Sequence, residues 1–462
     1  MFGNPTVMVP LALAAWPIIC VTALLTMPRR KAMIGLVVFG WMFMPGLQSG
    51  TIPFFHGKTE YFCGVLFLTS LAVDSGRWRR LRRSKFDLPV FCFALLAACS
   101  SLSNGYGVWD AVNQSVNSFF SWTAPYLLGR VYLGDLAGVR ELAIGFVSGV
   151  MVYVPLCLWE IRMSPQLNYL VYGIQGTFTQ MIRAGGYRPQ VFMAHGLMLS
   201  LWMGMGAVVA WWLWRSKAVD AIWRVPIKWV ALLLLGTEVL CKSTGALVLS
   251  GLGILLYHSS RRLRTSLTIV ALLALPPAYC LLRVNGWSAN DLVGSASQIF
   301  SNERGESLDF RVRNEDRLID KAIRQPWLGW GRWGENRVRD AEGRDLTVTD
   351  GLWIIVLGND GALSLLCLAL AMIVPVSLLL VLAPPQAWTH PALAPAGALA
   401  VALACFLIDC IPNAMTNPFY IFAGGGLTGT YLGALAASPA RSRRGRARAV
   451  AIRTQAVQLR GA

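Results

Sequence analysis

Residues 352–382 read LWIIVLGNDGALSLLCLALAMIVPVSLLLVL, with Asp360 the one acidic or basic side chain in the run. This exceeds the roughly 20 apolar residues that carry an α-helix across a bilayer. Lipid offers backbone amides and carbonyls no partner, so such a run is expected to be helical. Apolar runs of similar character recur at 6–26, 33–49, 60–75, 87–103, 116–133, 141–159, 190–213, 228–241, 246–258, 266–284, 391–411 and 418–437. The pair at 228–241 and 246–258 is short and reads as a tight hairpin turning at Ser243, Thr244 and Gly245.

Composition agrees. Of 462 residues, 55% are hydrophobic and 14% charged, where soluble domains carry about 25% charge. The expected fold is therefore all-α, a polytopic membrane bundle of about 12–13 transmembrane helices. Four regions follow: N-terminal helices in 1–284 with a short external loop at 160–189, a long external loop at 285–350, C-terminal helices in 351–437, and a basic tail at 438–462.

Lysine and arginine concentrate in cytoplasmic loops of membrane proteins. Here they cluster at Arg29, Arg30 and Lys31, at Arg77 to Lys85, at Arg215 to Lys228, at Arg261 to Arg264 and in the tail from Arg441, all on alternate loops. This pattern places the tail in the cytoplasm and the long loop outside, in the periplasm of a bacterial inner membrane. The net charge of +18 then reads as topology plus attraction to anionic membrane lipids, and nucleic acid is not an expected partner. The first apolar run lacks a basic leader and a small-residue cleavage site, and reads as an ordinary spanning helix. Nearly all of the ten cysteines lie in apolar runs without C-x-x-C spacing, as buried apolar residues do. Soluble nucleotide-binding and hydrolase motifs are absent, and no cofactor or metal is expected.

The outward segments carry the candidate chemistry. Residues 160–189 contain Arg162, Arg183 and Arg188. In 285–350, Arg311 to Ile323 reads as an amphipathic helix whose stripe is Val312, Leu318, Ile319, Ala322 and Ile323. Pro326-Trp327-Leu328-Gly329-Trp330-Gly331 stops it and allows a tight turn. Arginines outside the membrane run against the charge rule unless something there needs them. A diphosphate suits the guanidinium fork. The alternative is pairing with Asp309, Glu315, Asp316 and Asp320 of the same loop.

The span from Arg311 through Gly361 resembles the signature region of the bacterial O-antigen ligase and O-antigen polymerase superfamily. Its pieces here are Arg311, Pro326 with Gly329 and Gly331, Asp350-Gly351-Leu352-Trp353, and Asn359-Asp360-Gly361, the last ending a helix in glycine. Upstream, Lys242-Ser243-Thr244-Gly245-Ala246, followed by an apolar helix and Arg261-Arg262, resembles the family's Ser-Arg-Gly-Ala helix start. Tyr187-Arg188-Pro189 before a long helix also resembles it. Two departures fall on chemical positions: Asp350 stands for the family's histidine, and Thr244, with Lys242 two residues earlier, for its arginine.

The resemblance implies glycosyl transfer without a metal, for O-antigen or exopolysaccharide synthesis, at the outer face of the inner membrane. The donor would be a polyprenyl-diphosphate-linked saccharide and the acceptor a glycan or lipid-linked glycan. Asp350 would be the base and Arg311 a catalytic diphosphate clamp, with Arg313, Arg188, Lys242 and Arg183 as further diphosphate contacts. Asp350 also stands where a helix N-cap would.

Other ionisable residues admit plainer readings. His195 is either a partner of Arg188 or a hydrogen-bonded core histidine, and Glu238 has the i, i+4 spacing to pair with Lys242. Asp409, near Asn413 and Asn417, is a candidate for lining an acceptor cavity. Tryptophans are interfacial anchors, with Trp327, Trp330, Trp333 and Trp353 able to stack on sugars. A transporter or flippase of lipid-linked sugars is the competing reading. It expects inverted repeats and paired broken helices, and the sequence displays neither.

Overall fold

The computed structural model describes residues 5–47, 55–174, 176, 178–183, 185–288 and 302–437. Every apolar run found in the sequence contains a helix there. In chain order the principal helices are α1 Met8–Thr26, α2 Arg29–Gly35, α3 Lys58–Val73, α4 Leu88–Ser103, α5 Val108–Ser118, α6 Ala124–Tyr132, α7 Leu136–Met163 and α8 Gly196–Arg215. They continue as α9 Ile227–Leu240, α10 Thr244–Leu263, α11 Leu267–Val284, α12 Asn302–Ala322, α13 Leu352–Leu382, α14 Ala394–Asp409 and α15 Pro418–Ala437. π-helical turns extend α2 toward Phe43 and join α5 to α6.

The chain is a multi-pass membrane protein. Six of the described helices are long and apolar enough to cross a bilayer. Their outer surfaces carry exposed Ile18, Leu95 and Leu366, all mid-helix. Apolar groups point away from the core here because lipid is the solvent there. α8 is the central helix, apolar all round and packed by α7, α9, α10 and α14. The turn expected at 243–245 falls earlier, at 241–243 between α9 and α10, with Thr244 and Gly245 already in the first turn of α10. The basic tail at 438–462 lies outside the described residues.

Three differences from the sequence reading position the site. The run expected at 190–213 becomes helical only at Gly196, so Gln190 to His195 form a loop at the helix start. The amphipathic helix is longer than expected, running from Asn302 to Ala322. Val312, Leu318, Ile319 and Ala322 of its stripe are buried, whereas Ile323 lies beyond its end and is exposed.

The third difference is a break in α13. At Gly361 the backbone takes φ 80°, ψ −180°, leaving 362–382 to span roughly 30 Å, the thickness of a hydrocarbon core. Residues 352–360 bridge the ends of two other helices. The Leu352 amide donates to the Cys410 and Asn413 carbonyls at the end of α14, and Ser100 Oγ near the end of α4 donates to the Asn359 carbonyl at 2.7 Å.

The Pro326–Gly331 turn fills the break. Trp330 N and Gly331 N donate to the carbonyls of Gly358 and Asn359, and Ala362 N donates to the Pro326 carbonyl. A turn from elsewhere in the chain thus satisfies groups that an interrupted helix would leave orphaned.

Candidate functional site

Three segments meet at the end of the bundle where α7 and α9 finish and α8 and α10 begin. The first is the hairpin and loop between α7 and α8. Ile182–Arg183 pairs antiparallel with Gly186–Tyr187, and Arg188 follows. Glu160, buried near the end of α7, accepts from the amides of Gln190 and Val191 at 2.8 and 2.7 Å and of Leu167 at 3.0 Å. This carboxylate holds the loop at Val191, whose φ of 52° is costly for a β-branched residue. Arg188 is 6% exposed. Its stem lies across the first turn of α8, so close that a Cβ on Gly196 would sit 2.4 Å from Arg188 Cδ.

The second segment is the turn after α9. Lys242 adopts φ 55°, and its carbonyl accepts from Arg188 NH2 at 3.3 Å. Its ammonium lies over Gly186, where a Cβ would be 2.2 Å from Nζ. The left-handed residue breaks the helical register, so the expected pair with Glu238 does not form. Glu238 Oε1 instead accepts from Ser250 Oγ at 2.6 Å.

The third segment is α12 with the stretch of chain leading into α13. Arg311 and Glu315 are four residues apart on one face of α12. Arg311 Nε lies 3.6 Å from Asp350 Oδ2. Asn314 Oδ1 accepts from Val348 N at 2.9 Å, tying the approach to Asp350 onto the same helix. Asp350 is not a cap, because Gly351 occupies the N-cap position without a side-chain bond. Gly351 is needed there for space: a Cβ would meet the Ile411 carbonyl at 2.1 Å.

Arg183, Arg188 and Arg311 are close enough to repel one another. Burial and these neighbours push the Arg188 guanidinium down to about 10. Burial raises the Asp350 carboxyl above its ordinary value, and Arg311 pulls it partly back. Arg311 also reaches Asp409 electrostatically, whose carboxylate accepts from Asn413 Nδ2 at 2.8 Å. An apolar cavity of about 290 Å³ lies between α11, α13 and α14, lined among others by Pro276, Cys280, Ile323, Leu352, Leu365 and Ile411, and none of the charged residues named above lines it.

The structure therefore brings Arg183, Arg188, Lys242, Arg311 and Asp350 together. Arg313 is not among them. Two residues beyond Arg311 it projects from the opposite side of α12, with its side chain 75% exposed and paired to Asp309 at 2.8 Å. Trp353 is committed to Glu315 Oε1 at 3.3 Å, and Trp330 donates to the Lys321 carbonyl. Of the tryptophans considered for stacking, Trp327 and Trp333 are the exposed ones.

Two groups escaped the sequence reading. Glu160 ends one apolar run, and a carboxyl at that depth was its signal. Arg283 ends another. It binds Asp316 at 2.9 Å and Glu315 at 3.4 Å, while Tyr279 OH donates to Glu315 at 2.7 Å. Burial raises the Glu315 carboxyl, and the hydrogen bonds and Arg283 hold it back. This network pins α12 to α11 and α13. Arg283→Met is expected to destabilise the protein by about 3–5 kcal/mol, since it strands a buried carboxylate. Thermal unfolding in detergent measures the loss, and adding Glu315→Gln should recover part of it.

No protein-family model matches the chain, and no curated protein matches it.

Proposed function

We propose that this chain is a membrane glycosyltransferase that transfers or polymerises polyprenyl-diphosphate-linked saccharide units at the outer face of a bacterial inner membrane. One observation carries the reading: Arg183 and Arg311, from distant parts of the sequence, both lie within electrostatic reach of Arg188, and Arg311 also faces the half-buried carboxylate of Asp350. The cations suit the two phosphates of the donor. The apolar cavity between α11, α13 and α14, whose lining includes Leu352 two residues after Asp350, suits the first part of its isoprenoid chain.

In this reading an acceptor hydroxyl attacks the anomeric carbon, and the bond from that carbon to the diphosphate oxygen breaks. Asp350 takes the hydroxyl proton. A carboxyl raised by burial is a better proton acceptor than an ordinary aspartate. Arg188 and Arg311 stabilise the charge that develops on the departing diphosphate. The resemblance of the Arg311–Gly361 span to O-antigen ligases and polymerases supports the same reaction. The positive-inside pattern supports the orientation.

The break in α13 favours a second reading, a transporter of lipid-linked sugars, because broken helices mark substrate paths in such proteins. It is filled by the Pro326–Gly331 turn. The purified protein in liposomes, given a polyprenyl-diphosphate-linked oligosaccharide, separates the two. The enzyme reading expects longer or transferred glycan together with released polyprenyl diphosphate. Movement of intact donor across the bilayer with no bond broken would replace it by the transporter.

A further inference from the structure

His195 stands at the start of α8 with both ring nitrogens engaged. The Leu197 amide donates to Nδ1 at 3.0 Å, which fixes the lone pair on Nδ1 and the proton on Nε2. Nε2 faces Gln180 Oε1 at 2.8 Å. Burial, aided by the charges of Arg188, Arg311 and Arg183, pushes the ring down to about 4. A second proton would also have to enter at Nδ1, against the capping amide. The ring is therefore a neutral donor within a cluster of cations.

An independent observation lies next to it. Arg188, whose stem crosses Gly196 immediately after His195, has a buried Nε with no acceptor among the described residues. Two N–H donors, one unsatisfied and one held by a glutamine on a short helical turn, thus flank the first turn of α8. That turn adds the partial positive charge of a helix N-terminus.

We propose that His195 is a diphosphate-binding residue, its Nε2–H exchanging Gln180 for a phosphate oxygen that Arg188 Nε also contacts. This rests on the glycosyltransferase reading for the identity of the anion, and adds a residue that reading does not use. A neutral imidazole suits the position. It donates a hydrogen bond without adding a further charge to the mutual repulsion of Arg183, Arg188 and Arg311 while the site is empty.

The test is histidine ring NMR on the full-length protein in detergent with inorganic diphosphate as the probe. The chain has 4 histidines, so single substitutions assign the signals. Diphosphate is expected to shift the His195 Nε2 resonance. It should also raise the pH at which this ring protonates, because the anion offsets the three arginines. His195→Asn keeps a helix-capping side chain, but its shorter amide stops short of the position of Nε2, and it should weaken diphosphate binding by about tenfold. Binding that is weakened by Arg311→Gln while the His195 signal stays still, and while His195→Asn binds normally, would overturn the role of His195 and leave the reading standing. Diphosphate that fails to bind, or binds equally to Arg188→Gln and Arg311→Gln variants, overturns both.

Discussion

Arg311→Ala and Asp350→Ala should each lower product formation by about a hundredfold or more while the protein remains in the membrane at normal levels. Removing one preorganised group that stabilises developing charge typically costs this much. Neither side chain supports the fold. Arg311 and Asp350 are 28% and 35% exposed and meet at 3.6 Å, whereas α12 is anchored through Arg283, Glu315 and Trp353. Polymer or ligated glycan measured against membrane content of the protein checks the prediction. Normal product from both variants would remove the proposed site.

The same pair sets a pH signature. Burial raises the Asp350 carboxyl and Arg311 opposes the shift, so activity should fall on acidification at a pH above the ordinary aspartate range of about 3.9. A group that must be ionised to act is lost as pH drops through its raised value. In an Arg311→Lys variant with residual activity, the weaker partner should move this acid limb to higher pH. A limb that stays in place would separate Asp350 from the proton transfer.

Gly361→Val is expected to be the most destabilising single change, at about 4 kcal/mol or more, enough to abolish stable expression. Two costs combine. A φ of 80° strains any side chain, a β-branched one most. A Cβ would also lie 2.2 Å from the Trp327 carbonyl oxygen, which belongs to the turn that fills the break, so the neighbour is backbone and cannot swing aside. Gly329→Ala should act in the same direction, because its Cβ would meet the Asn359 carbonyl at 2.5 Å with φ at 68°. Gly236→Ala is the control: it lies inside α9 with nothing within 4 Å, and alanine there should be neutral or slightly stabilising. Detergent-solubilised yield and thermal unfolding rank the three. A Gly361→Val protein as stable as the control would mean that the break in α13 is not required.

Hydropathy along the chain determined the helical class and the position of every apolar helix, because partition between water and lipid adds up residue by residue. The charge pattern also marked the arginines of 160–189 and 285–350 as exceptions. What it could not decide was which side chains would meet. Arg311 and Arg313 look equivalent in the sequence, yet the α-helical period turns one toward Asp350 and the other to Asp309. Glu238 and Lys242 have pairing distance in sequence, and a single left-handed residue separates them. Hydropathy passed over the break at Gly361, which lies inside the longest apolar run, although the resemblance through Asn359-Asp360-Gly361 implied a helix end there; backbone groups in lipid need only some partner, and here that partner is a turn that α4 also holds through Ser100. Burial is a local property and can be read from one segment. Pairing depends on which distant segments the bundle brings together, so the charge cluster, the Glu160 loop anchor and the Arg283 network were set by tertiary packing.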